Sequence, residues 1–314
     1  MEQTLAGLYV PLITPLRTDG ELAVDALEAL AHSVIDSGAA GVVALGTTAE
    51  TATLSAGERR GVLDICARVC RERSAMLIAG AGSNDTHASI QALQELAGWP
   101  EVAAALVVVP YFTRPAEEGV AAHFTRLAAE SPVPLIIYNI PSRTGQVVGW
   151  RTVRRLAGLA GIAGVKHAVG GIDEDTVQLM ADRPDGFAVL AGDDVFASPM
   201  LALGAAGAIL ASAHLCTGHF ADLVGSWRAG DCGRARALGH RLAGLSAALF
   251  AEPNPTVIKA VLHAQGRIPS PAVRLPLLAA GPGAVSAAQR QASELAQIPP
   301  MSLRPGGSQN VGGP

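Results

Sequence analysis

The sequence has few aromatic residues, few charged residues and few cysteines. Among its 314 residues, aromatic side chains make up 4% and charged side chains 16%, whereas hydrophobic residues make up 49%. Alanine, valine, leucine and isoleucine must therefore fill a large core. The formal net charge is −4, and the chain has no long run of Lys or Arg. Because nucleic acids are bound by basic surfaces, we predict no nucleic-acid partner.

The four cysteines are too few and too scattered to form a framework of disulfides. Cys66 and Cys70 fall one helical turn apart, which favours buried free thiols and leaves metal binding as the alternative. The first ten residues, MEQTLAGLYV, lack the features of a secretion signal and predict a cytoplasmic protein. Residues 195–221 carry no charge and could span a bilayer, but their proline, glycines and alanines favour a buried helix followed by a buried strand. We therefore predict no membrane partner.

Eight short apolar runs recur along the chain and predict eight buried strands. They begin at residues 7, 41, 75, 104, 134, 163, 187 and 207, and most are rich in Val, Ile or Leu. Continuous apolar runs are typical of parallel strands that are covered on both faces. Amphipathic stretches follow the first five runs, over residues 22–37, 55–73, 85–97, 116–130 and 151–159. This alternation predicts a (β/α)8 TIM barrel.

Helical patterns continue beyond the eighth run, over residues 219–229, 232–250, 255–265 and 284–296. We therefore predict a catalytic barrel over residues 1–218 and a C-terminal helical appendage over residues 219–296. The last segment, residues 297–314, is rich in Pro, Gly and Ser and has few apolar side chains to bury. This composition predicts a disordered tail.

Polar residues stand where the predicted strands end, the face that carries the chemistry of barrel enzymes. Lys166 is the most unusual of them, because it interrupts an apolar strand where burial of an ammonium is unfavourable. Desolvation favours the neutral amine, which can attack a carbonyl carbon. The alternative is a structural lysine that reaches water or pairs with Asp193. The other members of this set are Thr47, Thr48, Tyr111, Tyr138, Asn139, His167 and Asp194.

Five motifs occur in order on this frame: GTTAE (46–50), YNIPSRTG (138–145), GVKHA (164–168), GDD (192–194) and EPNP (252–255). From Gly7 to about Leu278, the chain resembles the dihydrodipicolinate synthase / N-acetylneuraminate lyase family of class I, pyruvate-dependent aldolases. The resemblance implies a lyase in which Lys166 forms a Schiff base with pyruvate and then reacts with an aldehyde. Neither a metal nor an organic cofactor is needed, because the lysine itself is the electron sink. The family also implies a homotetramer, a dimer of tight dimers.

The resemblance assigns a role to each matched residue. Tyr138 corresponds to the tyrosine that shuttles protons during imine formation, and Thr47 to the threonine of the proton relay. Thr48 corresponds to the residue that holds the pyruvate carboxylate. Gly192 and Ile209 complete the implied substrate-binding set.

Arg143 and the EPNP motif favour the synthase branch of the family. The arginine resembles the residue by which synthases grip the carboxylate of L-aspartate-4-semialdehyde, since a guanidinium fork matches two carboxylate oxygens. The implied product is 4-hydroxy-tetrahydrodipicolinate, an intermediate of lysine biosynthesis. Two alternatives stay open. One is a paralogous aldolase or dehydratase acting on a 2-keto-3-deoxy sugar acid or an N-acetylneuraminate-like substrate, and the other is a barrel that binds an α-keto acid without turning it over.

Three positions depart from the family pattern. Phe112 stands where synthases usually carry a second relay tyrosine that reaches across a subunit interface, and Tyr111 precedes it in the same loop. Because phenylalanine cannot pass a proton, this departure favours the paralogue. Ala49 replaces a glycine, which matters only if the backbone needs a positive φ. His167 replaces an acidic residue after the Schiff-base lysine.

Overall fold

The structure, a computed structural model, describes residues 5–297 and contains a closed barrel of eight parallel strands. Each strand pairs with the next along the chain, and β8 pairs with β1. The strands β1 to β8 are Gly7–Pro11, Gly41–Ala44, Met76–Gly80, Val102–Val108, Leu135–Asn139, Ile162–His167, Ala188–Ala191 and Gly207–Ile209. Every strand overlaps one of the eight apolar runs, so the predicted (β/α)8 barrel is confirmed. Residues 298–314 of the predicted tail lie outside the described residues.

The helices surround the barrel and continue beyond its last strand. In chain order, α1 to α12 of the described chain are Val24–Asp36, Ala56–Arg73, Thr86–Glu95, Glu117–Glu130, Pro141–Thr144, Trp150–Leu156, Glu174–Ala181, Ala197–Ala202, Thr217–Arg228, Cys232–Leu249, Thr256–Ala264 and Pro282–Ala296. The five predicted amphipathic stretches correspond to α1, α2, α3, α4 and α6. The sequence pattern did not indicate α7, whose eight residues bury only Thr176 and Leu179.

The uncharged stretch at residues 195–221 forms a buried helix and then a buried strand, as predicted, namely α8 and β8. Within residues 5–297, no helix is both long and apolar enough to cross a membrane. Cys66, Cys70 and Cys216 are buried free thiols, also as predicted. The prediction is wrong for Cys232, which is exposed because it lies at the first turn of α10.

Alternation along the strands divides the apolar core into two layers. Ile136 and Tyr138 of β5 point into the barrel, whereas Ile137 points outward against the helices. In β6, Val165 belongs to the outer layer, which places its neighbour Lys166 on the inner face. The strand therefore turns a lysine towards the interior at the carboxyl end of the barrel.

The C-terminal helices confirm the predicted appendage and pack over one side of the barrel. Helix α9 contacts β1 and α8, and α10 contacts α9, α12 and the short turn 194–196 after β7. Helix α11 contacts α12 and the turn 211–214 after β8. The appendage therefore reaches the carboxyl ends of the last two strands. Its predicted boundary at residue 218 stays a prediction.

One buried ion pair joins the appendage to the loop that follows β2. Lys259 of α11 donates from Nζ to Glu50 Oε1 at 2.6 Å, and the two side chains are 0% and 3% exposed. Glu50 Oε2 accepts a hydrogen bond from the backbone N–H of Arg274 at 2.9 Å. Burial lowers the pKa of Lys259, and the Glu50 carboxylate opposes that shift. Both carboxylate oxygens are therefore bound to elements that are distant in sequence.

We predict that Lys259→Met destabilises the fold strongly at neutral pH. Removing the ammonium leaves the Glu50 carboxylate buried without a counter-ion, which typically lowers the free energy of unfolding by about 3–5 kcal/mol. Urea denaturation measures the change. Because Glu50→Gln removes the unpaired charge, the double variant Glu50→Gln/Lys259→Met should be more stable than Lys259→Met alone. The matched control is Arg126→Met, which breaks an exposed pair with Glu130 and should have little effect. Equal stability of Lys259→Met and the wild type would contradict the structural role.

Candidate active site

A cavity of about 230 Å³ opens at the carboxyl ends of the strands. Its wall includes residues at the ends of β5 and β6 and in the loops after β2, β5 and β7, together with Asn254 and Phe250 from the appendage. The structure therefore brings together residues from distant parts of the chain. The predicted site residues in this wall are Thr47, Thr48, Tyr138, Arg143, Lys166 and Gly192.

Lys166 lies against Tyr138 on neighbouring strands. The two residues are paired in the register of β5 and β6, and Lys166 Nζ lies 4.4 Å from the centroid of the tyrosine ring. Each residue is 6% exposed. Within the described chain, no carboxylate forms an ion pair with Lys166. Lys166 therefore neither reaches bulk water nor forms a close ion pair with Asp193, although it interacts electrostatically with Asp193 and Asp194. Its catalytic role stays a prediction. A buried amine next to a phenol is suited to nucleophilic attack with proton transfer.

Two acidic residues follow β7 and line the same cavity. Burial raises the pKa of Asp193, and it raises the pKa of Asp194 to about 6. Asp193 Oδ2 accepts a hydrogen bond from the backbone N–H of Gly170 at 2.6 Å, and Asp194 Oδ1 accepts one from the backbone N–H of Ser212 at 2.6 Å. These bonds hold the two carboxyl groups to neighbouring loops. The acids thereby shape the wall beside Lys166, whose charge acts to lower the pKa of both carboxyl groups against the effect of burial.

Gly192 leaves the space that the Lys166 side chain occupies. A Cβ atom on this glycine would lie 2.9 Å from Lys166 Cγ, 2.9 Å from Ala168 Cβ and 3.0 Å from the carbonyl oxygen of His167. The backbone N–H of Gly192 also donates to the His167 carbonyl oxygen at 2.8 Å. A side chain at this position would therefore press directly on the lysine.

Asn254 is a site residue that sequence reasoning missed, although the EPNP motif contains it. Its Nδ2 donates to Thr48 Oγ1 at 3.0 Å, and both residues are buried. Thr48 lies in the short turn Thr47–Ala49, whose Thr47 is exposed at the rim. Ala49 adopts no positive φ, so the glycine that it replaces is not required there. The turn thus offers one buried and one exposed hydroxyl.

A second cavity, of about 540 Å³, adjoins the first. Thr47, Tyr138, Arg143 and Asn254 line both cavities, so these residues stand at the boundary between them. Tyr111 lines the second cavity and is 40% exposed. The two cavities give the site a buried part around Lys166 and a wider outer part.

Three further residues lie away from the walls of the first cavity. Phe112 is 86% exposed and adopts a positive φ of 69°. Ile209 is fully buried in the inner apolar layer with Tyr138. His167 points outward, where its Nε2 lies 2.9 Å from Thr176 Oγ1 on α7. The implied substrate-binding role of Ile209 stays a prediction.

The family model described as "Dihydrodipicolinate synthetase family" matches residues 4–294. The chain belongs to this family. It is 41% identical over 275 residues to the 4-hydroxy-tetrahydrodipicolinate synthase of Syntrophus aciditrophicus (strain SB), a match that covers 86% of this chain and 91% of the relative. It is 39% identical to the enzyme of the same name from Neisseria gonorrhoeae (strain ATCC 700825 / FA 1090), with 87% and 93% of the two chains covered.

Solved structures of the same family also resemble this one. The chloride-inhibited dihydrodipicolinate synthase from Acinetobacter baumannii, complexed with pyruvate, matches with a TM-score of 0.89 and 32% identity. That match covers 94% of this chain and 100% of the solved chain. Both the barrel and the appendage are therefore features that this chain shares with a solved synthase.

We predict that Gly192→Ala slows the reaction of Lys166 with small carbonyl compounds. Overpacking against the lysine should raise the barrier by about 1–3 kcal/mol, which corresponds to a rate about 5- to 150-fold lower. The rate of adduct formation, trapped with borohydride, measures the effect. The control is Gly171→Ala in the loop after β6, where an added Cβ meets no atom within 4 Å. Equal rates for the two variants would contradict the steric argument.

Proposed function

We propose that this protein is a 4-hydroxy-tetrahydrodipicolinate synthase that condenses pyruvate with L-aspartate-4-semialdehyde. The observation that carries the proposal is the buried Lys166, whose Nζ lies 4.4 Å from the centroid of the Tyr138 ring. The names of the curated relatives and their coverage of nearly the whole chain support this activity over other reactions of the family.

Lys166 acts as the nucleophile. Its Nζ attacks C2 of pyruvate, water leaves, and an imine forms. Loss of a proton from C3 converts the imine to an enamine, whose C3 attacks the aldehyde carbon of the second substrate. The amino group of that substrate then adds to C2 and displaces Lys166, which closes the ring and frees the enzyme. No external electron acceptor is needed, because each step only forms and breaks covalent bonds between the two substrates and the lysine.

Tyr138 and Thr47 carry the proton transfers in this proposal. The Tyr138 phenol adjoins Lys166 and can donate a proton to the departing water and accept one later. Thr47 lines both cavities together with Tyr138, so it can pass the proton outward. Its exposure at the rim gives the proton a route to solvent.

Thr48 and Arg143 bind the two substrate carboxylates. Thr48 is buried near Lys166, and Asn254 Nδ2 donates to its hydroxyl oxygen, which leaves the hydroxyl hydrogen for the pyruvate carboxylate. Arg143 is exposed where the two cavities meet, and its side chain has no hydrogen-bond partner among the described residues. Its guanidinium is therefore available to the carboxylate of the semialdehyde. Gly192 and Ile209 complete the proposed binding set.

Borohydride trapping tests the nucleophile. The chain contains only two lysines, Lys166 and Lys259, so the site of labelling can be read without ambiguity. Pyruvate with borohydride should add one reduced pyruvate to the peptide that contains Lys166, and Lys166→Ala should abolish labelling. Peptide mass spectrometry locates the adduct. Because Lys259 is fully buried and paired with Glu50, its peptide is the internal control. A stable adduct on Lys259 instead would refute the assignment.

One observation favours a second candidate function, a paralogous aldolase or dehydratase acting on a 2-keto-3-deoxy sugar acid or N-acetylneuraminate-like substrate. Phe112 lacks the hydroxyl that a relay from a neighbouring subunit would need.

In our proposal, Tyr111 and Phe112 lie at the contact of a tight dimer within a homotetramer. The support is their exposure, since aromatic surface of this kind is commonly buried between subunits. A cytoplasmic location stays a prediction.

We predict that Phe112→Tyr raises synthase turnover if the relay of the native enzyme is incomplete. Loss of a general acid–base partner typically lowers the rate about 10²- to 10⁴-fold, so restoring a hydroxyl should recover part of that factor. A coupled assay with L-aspartate-4-semialdehyde measures turnover. The matched control is Tyr111→Phe, which removes the neighbouring hydroxyl. If Tyr111→Phe strongly lowers turnover and Phe112→Tyr does not change it, Tyr111 carries the proton relay. If neither variant alters turnover while a sugar-acid aldehyde is processed rapidly, the paralogue is the correct function.

A further inference from the structure

Asn254 has one hydrogen-bonding atom without a partner at the boundary of the two cavities. Its Nδ2 donates to Thr48 Oγ1, whereas its Oδ1 is buried and accepts no hydrogen bond from the described residues. The residue is only 9% exposed, so it has little access to bulk water. A buried carbonyl oxygen without a donor is unfavourable and points to a ligand that supplies the missing hydrogen.

The orientation of the Asn254 side-chain amide matches the carboxylate-binding role proposed for Thr48. If Nδ2 donates to the threonine oxygen, the hydroxyl hydrogen stays free to bind a substrate carboxylate. In the opposite orientation, the hydroxyl would donate to Oδ1 and lose that hydrogen. The orientation in the structure therefore gives Thr48 a donor for pyruvate and leaves Oδ1 of Asn254 as an acceptor.

The cavities that Asn254 and Arg143 share indicate which chemical group of the substrate can donate to Asn254 Oδ1. Both residues line both cavities, whereas Asp193 and Asp194 line only the inner one. An L-α-amino acid with a side-chain aldehyde, bound by its carboxylate at Arg143, carries its amino group one carbon away, at the same boundary. Asn254 thus supplies a buried acceptor in the two cavities that Arg143 also lines, and the proposed proton transfers do not use it.

We propose that Asn254 determines specificity for aldehydes that carry an amino group α to their carboxylate, by accepting a hydrogen bond from that amino group at Oδ1. The proposal rests on the proposed function, in which the same amino group must reach C2 of pyruvate and displace Lys166. Asn254 takes no proton and forms no covalent bond in this role. It holds the amino group in place, so that ring closure follows carbon–carbon bond formation.

The test compares two ligands that differ only in the amino group. They are L-aspartate-4-semialdehyde, measured as a substrate, and succinate semialdehyde, measured as an inhibitor competitive with it. Asn254→Ala removes the acceptor, and Asn254→Leu removes it at similar volume in case the smaller variant folds poorly. Asn254→Asp retains the oxygen but loses the N–H donor to Thr48. Melting temperature and pyruvate trapping report separately on folding and on the pyruvate site.

We expect Asn254→Ala and Asn254→Leu to lower kcat/KM for aspartate semialdehyde by about 10- to 100-fold, the usual effect of losing a hydrogen bond to a charged group. The inhibition constant of succinate semialdehyde should change little. Asn254→Asp should keep the preference for the amino compound, and all three variants should raise KM for pyruvate, because each loses the N–H donor to Thr48.

Two outcomes overturn the inference. One is that Asn254→Ala and Asn254→Leu weaken the binding of both semialdehydes equally, which would mean that Asn254 has a purely structural role. The other is that Asp193→Asn abolishes the preference and the Asn254 variants do not, which would place the amino group at Asp193. Failure of the proposed function is distinguishable, because the wild-type protein would then show no turnover of aspartate semialdehyde at all.

Discussion

The buried ion pair between Glu50 and Lys259 joins the two parts of the structure on which the site depends. Glu50 ends the turn that carries Thr48, and Lys259 lies on the helix that follows Asn254. Because each ion is neutralised by the other, the pair can be buried without an uncompensated charge. The hydrogen bond from Asn254 to Thr48 connects the same two segments of the chain. The pair therefore positions a hydroxyl inside the cavity, although neither ion lines the wall beside Lys166.

The strands could be predicted from sequence because a strand covered on both faces shows its burial locally, as a continuous apolar run. Lys166 could be singled out for the same reason, since it interrupts such a run. Helix α7 could not be predicted, because its short amphipathic face offers only Leu179 and Thr176 to the core. The exposure of Cys232 could not be predicted either, because it depends on the residue at which α10 begins. Local sequence patterns therefore predict the presence of a strand or helix better than the residues at which it begins and ends.

Within the site, sequence motifs predicted the residues at strand ends, Tyr138 and Lys166, and Arg143 in the short helix α5 that follows β5. They did not predict the contacts that hold those residues. Asn254 and Thr48 are 206 positions apart, and Lys259 and Glu50 are 209 apart. No periodicity in the sequence encodes which loop a distant helix will contact. These partners follow only from how the appendage packs on the barrel, which is a tertiary property.

The depth of each binding group implies an order for the substrates. Thr48 and Lys166 are 4% and 6% exposed and lie at the inner end of the site, whereas Arg143 is exposed where the two cavities meet. An aldehyde bound first at Arg143 would obstruct the path to the lysine. Pyruvate bound first leaves that boundary open, and its imine then presents carbon C3 towards the outer cavity. In the proposed reaction, the geometry that buries one amine thus favours pyruvate as the first substrate and the aldehyde as the second.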